Sequence, residues 1–144
     1  MSKLTEAEIV QFERAASAIN VHGILSIVFG GLGLLIALFF AGIFGLSAAT
    51  GSLTPDDVIG FTIMALFGTV FMVIPHIYLV VAGVYLLKKP APKVAKVLII
   101  INLVIGALWN LILVIFAIIN LTQISDYARG YVKPRHAHEP KAVA

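Results

Sequence analysis

The chain contains no cysteine. That excludes disulfides, thiolate metal sites and palmitoylation, and it says little about compartment. Charge is also scarce: only 12% of residues are Asp, Glu, Lys or Arg, against a usual quarter. Where charge is missing matters more. None lies between Arg14 and Asp56, from Val58 to Leu87, or from Val97 to Ser125. A hydrocarbon core of about 30 Å takes about 20 apolar residues in helix, and each stretch is longer than that. Mean hydropathy is +1.05 and 60% of residues are hydrophobic. A domain of this size in water must cover its surface with polar groups, which this composition cannot supply. The expected protein is integral to a lipid bilayer.

The same absences limit the chemistry. No carboxylate or cation is embedded in an apolar stretch, which removes a proton-coupled exporter and an ion pathway lined by charge. No Ser-His-Asp set, phosphate-cradling glycine loop or HExxH motif occurs on a water-facing segment. Gly30-Gly31-Leu32-Gly33 lies inside an apolar run, where glycine serves packing. Three long spans use up the chain, leaving one domain over 1–144 and no room for a soluble catalytic module. The expectation is a protein that is not an enzyme, with no cofactor and no metal site. The net charge is +3, but the basic residues flank apolar runs and form no aromatic-interleaved patch. They report membrane topology and no nucleic acid partner. The first apolar run far exceeds a signal-peptide core of about 7–15 residues, so no cleavable leader is expected.

The fold class that follows is all-α, a membrane helical bundle of three long apolar segments preceded by a short amphipathic helix. Thr5-Glu6-Ala7-Glu8 reads as a capping box, opening an amphipathic helix over 5–18 with Ile9, Phe12, Ala16 and Ile19 on one face. It suits an interfacial lead-in, or a partner-docking helix. Span one covers 20–46. Within it Gly33, Ala37, Ala41 and Gly45 recur at i, i+4, as do Ser26 and Gly30. Small residues at that spacing let helix backbones approach closely, which in lipid replaces the missing hydrophobic drive. Residues 47–57 form a loop with turn and helix-start signals at Gly51-Ser52 and Pro55-Asp56-Asp57. Span two covers 58–87 and is kinked by Pro75. A basic connection follows. The last apolar segment covers 94–121, and its Asn102, Gly106, Asn110, Ala117 and Asn120 fall within a band of about 80° at ~100° per residue. That band suits one continuous helix with a polar inward stripe. Residues 122–144 read as a basic polar tail, disordered by composition.

Topology gives a conflicting signal. Lys and Arg favour the cytoplasm. Loop 47–57 has neither, whereas the connection after span two carries Lys88, Lys89, Lys93 and Lys96. The loop is therefore external and the N-terminus cytoplasmic. Three simple spans would put the tail outside with Arg129, Lys133, Arg135 and Lys141. A last segment bent back near 105–109 would put it inside as a fourth helix, but halves of about 13 residues reach only ~20 Å. Both readings stand.

His22-Gly23-Ile24-Leu25-Ser26-Ile27-Val28-Phe29-Gly30-Gly31-Leu32-Gly33 is one of three stretches that carry a resemblance. The others are Pro75 followed by Val81-Ala82-Gly83-Val84-Tyr85-Leu86-Leu87-Lys88-Lys89, and Ala95-Lys96-Val97-Leu98 leading to Asn102-Leu103. In order and spacing over about 20–125, the chain resembles a widespread group of small uncharacterised bacterial multi-pass membrane proteins. The resemblance implies a bacterial cytoplasmic membrane and four helices, the last segment broken by an Asn-x-Pro-x-Gly-like turn. Here Asn102-Leu103-Val104-Ile105-Gly106-Ala107 lacks the proline.

His76 is the sharpest candidate for chemistry, because intramembrane ionisable groups default to function. Its structural alternative is a neutral ring bonded to the carbonyl freed by Pro75, or to Asn102 or Asn110. His22 sits near the inner interface, where a structural imidazole is cheap. As axial haem ligands the two would need matched depths; counted from Arg14 and Lys88 they differ by about 6 Å. Tyr78 and Trp109 complete a candidate haem b or quinone site near His76. The leading functional expectation is a structural or accessory subunit that packs against other membrane subunits or itself. The second is a redox anchor.

Overall fold

A computed structural model describes residues 5–51 and 54–137. Among them the chain is helical: α1 Glu6–Ala49, α2 Pro55–Gly68, a π-helical turn Thr69–Val73, α3 Ile74–Leu87, α4 Pro92–Trp109 and α5 Leu111–Ala137. Four segments are long and apolar enough to cross a membrane: Glu6–Ala49, Pro55–Leu87, Pro92–Trp109 and Leu111–Tyr131. The described residues divide into two compact units, one from Met1–Leu25 with Ala82–Ala144 and one from Ser26–Val81.

The helix starts are made as the sequence specifies. Glu8 N–H donates to Thr5 Oγ1 at 3.3 Å, and Thr5 N–H donates back to Glu8 Oε2 at 2.9 Å, the reciprocal capping box. Thr54 and Asp57 repeat it at α2, with Pro55 in the first turn. Between these starts the expected lead-in helix and span one are one helix of 44 residues, about 66 Å long. Nothing at Ser17–Asn20 breaks it, since no Gly or Pro interrupts the run. It ends where Gly51 takes φ 66°, the left-handed conformation that closes helices.

In the first unit the lead-in segment packs against α5. Phe12 stacks on Tyr127 at 5.7 Å between ring centroids. A Cβ on Gly130 would strike the Phe12 ring, so glycine there admits it. Tyr127 Oη donates to Pro90 O at 2.8 Å. These contacts bring the start of α1, the α3–α4 turn and the far part of α5 to one end of the unit. Ala15, Ala16, Ile19, Leu86, Ala95, Ile99, Ala117 and Tyr127 form its core.

The last apolar segment is a hairpin and not one helix. Asn110 is the break: its backbone is extended at φ −155°, ψ 101°. Its side-chain Oδ1 accepts from Ile112 N–H at 3.0 Å and Leu113 N–H at 3.3 Å. These are two of the donors that the start of α5 would otherwise leave bare. Asn110 thus terminates the helix that the missing proline would have ended. Gly106 lets the two arms converge beside the turn, its Cβ position lying 3.0 Å from Leu113 Cβ. The inward stripe of Asn102, Gly106, Ala117 and Asn120 is buried on the two arms, but Asn110 leaves it to form the turn. The arms are longer than the halves expected. The α4 arm has 18 residues and the Leu111–Tyr131 arm 21, about 27 and 31 Å. The extra length comes from Pro92 at one end and from residues 122–137 at the other. Those last residues, expected as tail, are helical because Ile124, Tyr127 and Tyr131 continue an apolar face.

Asn110→Ala should lower unfolding stability in detergent by about 1 kcal/mol, the usual cost of a lost N-cap. Asn110→Ser, which keeps an acceptor, should retain most of it in the same denaturation titration.

Candidate functional site

The polar groups inside the apolar segments form two constellations, one in each unit. In the first unit, His22 on α1 and Asn102 on α4 are fully buried. Asn102 Nδ2 donates to His22 Nε2 at 3.0 Å, joining helices 80 residues apart in sequence. Asn120 on α5 is also fully buried. It donates within its own helix, to Phe116 O at 2.6 Å. Gly23, one residue past His22, lets α3 approach: its Cβ position lies 3.0 Å from Gly83 O.

In the second unit, Pro75 lies two residues beyond the π-helical turn. Proline has no N–H and clashes with the carbonyl four residues back. The wide turn at Thr69–Val73 opens the helix just ahead of it, as π-bulges do. His76 Nδ1–H donates to Met72 O, one turn back. The other edge of the ring lies flat against Gly33, where any Cβ would overlap Cδ2 and Nε2. Gly30, one turn earlier on α1, meets His76 O and Val80 Cγ2, each 2.8 Å from its Cβ position. His76 is therefore a packing surface for two glycines as well as a hydrogen-bond donor. Its partner is a carbonyl of the turn that Pro75 distorts, Met72 O, and not the Phe71 O that a proline at 75 leaves free, nor Asn102 or Asn110.

The expected small-residue ladder divides at this point. Ser26, Gly30 and Gly33 are buried. Ala37 is half-buried, while Ala41 and Gly45 are exposed, with open space around Gly45. Geometry accounts for the division. Steps of four residues on a 3.6-residue helix drift by about 40°, so Gly45 lies about 120° around α1 from Gly33. Positions 23, 26, 30 and 33 alternate steps of three and four, which holds a seam on one side. Gly23 belongs to that seam and sequence reading missed it, because its partner in an i, i+4 search is Ile27.

The redox reading needs histidine nitrogens that can reach a metal. The Nε2 edge of His76 is covered by the α1 backbone, and His22 Nε2 accepts from Asn102. In this arrangement neither Nε2 is open to a metal. Tyr78 is half-buried and Trp109 exposed at the hairpin turn, a position suited to an interfacial aromatic anchor. Among the described residues no three His, Asp or Glu side chains converge. Comparison with protein-family models, curated proteins and solved structures finds no match.

Gly33→Leu should destabilise the folded protein by about 1–3 kcal/mol, the cost of overpacking, because His76 and its helix must move. Gly45→Leu should leave stability within about 0.5 kcal/mol of the parent. Thermal unfolding in detergent compares the two directly.

Proposed function

We propose that the chain is a non-enzymatic, multi-pass protein of the bacterial cytoplasmic membrane, a structural or accessory subunit that acts by helix packing. Its partner is another membrane subunit or a second copy of itself. The observation that carries this reading is the outer face of α2 and the π-helical turn that follows it. Ile59, Ile63, Leu66 and Val70 are each more than half exposed, at 62, 52, 64 and 53%. They are spaced 4, 3 and 4 residues apart, the pattern of side chains that interdigitate with a neighbouring helix. The described part of α2 buries no residue within its own chain.

Two further observations favour it over the redox anchor. His22 Nε2 and His76 Nδ1 are engaged by Asn102 and Met72 O, and the His22–Asn102 bond ties α1 to α4. The orientation proposed with it keeps the N-terminus, the Lys88–Lys96 connection and the C-terminal arm on the cytoplasmic side, with loop 47–57 outside. The meeting of Phe12, Pro90 and Tyr127 at one end of their unit supports that arrangement.

Single cysteines are informative in a cysteine-free chain. Leu66→Cys should give a discrete disulfide-linked or bifunctionally cross-linked species in native membranes, and Phe61→Cys on the opposite face should not. A monomer from both variants would contradict the packing reading. A Soret band in purified protein, lost on His76→Ala, would favour the redox anchor.

A further inference from the structure

On the side of α2 opposite that face lies a groove of about 550 Å³ between residues 37–44 of α1 and 61–73 of the following segment. Its walls include Phe40, Phe44, Phe61, Met64 and Met72. The one hydroxyl in its lining, on Thr69, is spent on Ala65 O at 2.8 Å. A ligand's polar group would find nothing to bond inside. The volume falls within the roughly 300–1,000 Å³ of small-molecule pockets. A hydrocarbon chain has no polar group that would need a partner there, and it suits this lining.

The end of the groove nearest the connecting loop is flanked by Phe44 and Phe61, whose rings lie 4.8 Å apart. One turn beyond Phe61 stand Asp56 and Asp57, exposed. No Lys or Arg occurs from residue 15 to residue 87. Asp56 and Asp57 are the charged residues of the groove's own unit, Ser26–Val81, so a headgroup at that end meets carboxylates from it and no cation. An anionic headgroup is repelled there and an ammonium is attracted.

We infer that the groove between α1 and α2 holds one acyl tail of a phospholipid whose headgroup carries an ammonium group. Gly68 supplies the means to test it. It lines the groove, its φ is −59°, and a Cβ added there meets nothing within 4 Å. A large side chain at Gly68 enters the groove without disturbing the helix. Gly60 has the same open space and does not line the groove, which makes it the control.

The inference rests on the membrane reading. The full chain is reconstituted in vesicles carrying a phosphatidylethanolamine with a photoactivatable diazirine on one tail, or the matching phosphatidylglycerol. Cross-linked residues are located by mass spectrometry. Labelling should concentrate in 37–44 and 61–73, about fivefold stronger from the ethanolamine lipid, given one headgroup charge beside the carboxylates. Gly68→Phe should remove it, and Gly60→Phe should leave it intact. Labelling spread evenly over the helices, or unchanged by Gly68→Phe, would overturn the groove as a tail site. Equal labelling by the two lipids would overturn the headgroup assignment. A chain that does not float with the vesicles would contradict the membrane reading itself.

Discussion

In hydrocarbon there is no water to take a backbone N–H or C=O that a helix releases, so each must find a partner inside the protein. Side chains meet that demand at several points where a helix of this chain stops or bends. Asn110 takes two amides at the start of α5. His76 takes Met72 O beside Pro75. Tyr127 takes Pro90 O in the α3–α4 turn. In each case a side chain bonds the backbone where a helix starts, bends or turns. Asn110 and His76 are therefore better understood first as repairs of the backbone and only then as candidates for chemistry.

The second requirement is close approach. Between helices in lipid, dispersion and hydrogen bonds must do what the hydrophobic effect does in water. Glycines at 23, 30 and 33 admit backbone and ring atoms where a methyl group would collide. Gly106 does so beside the hairpin turn, and Gly130 beneath Phe12. The His22–Asn102 bond adds direction to this packing. Such bonds contribute about 0.6–1.7 kcal/mol each in membrane proteins. That is comparable with one well-fitted side chain, so the polar pair fixes register more than it supplies stability.

How much of this was legible in the sequence differed by element. The apolar stretches, the Thr5 cap, the start at Pro55 and the disturbance at Pro75 could be read, because each rests on a local rule. Span count could not. Asn110 satisfies two rules at once, since a residue at that position completes an inward stripe on a straight helix and also caps a new one. Periodicity alone cannot separate these, because the residues of the stripe stay buried when the helix folds back. The extension of α5 was missed for a different reason. Gln123, Asp126, Arg129, Lys133 and Arg135 dominate the composition after residue 121, and composition hid the Ile124–Tyr127–Tyr131 face. The seam on α1 was half legible. Its residue types were right, but the four-residue step carried the expected line away from the partner helix.

The chain turns back at Asn110, and on the proposed membrane reading this gives an even number of crossings and returns the C-terminal arm to the side of the N-terminus. Accessibility of two engineered cysteines tests it most directly, one replacing Ser52 and one replacing Ala137. A membrane-impermeant thiol reagent applied to intact cells should label the cysteine at position 52 and spare the one at 137. Labelling of both from outside would put the loop and the arm on the same side and contradict the hairpin.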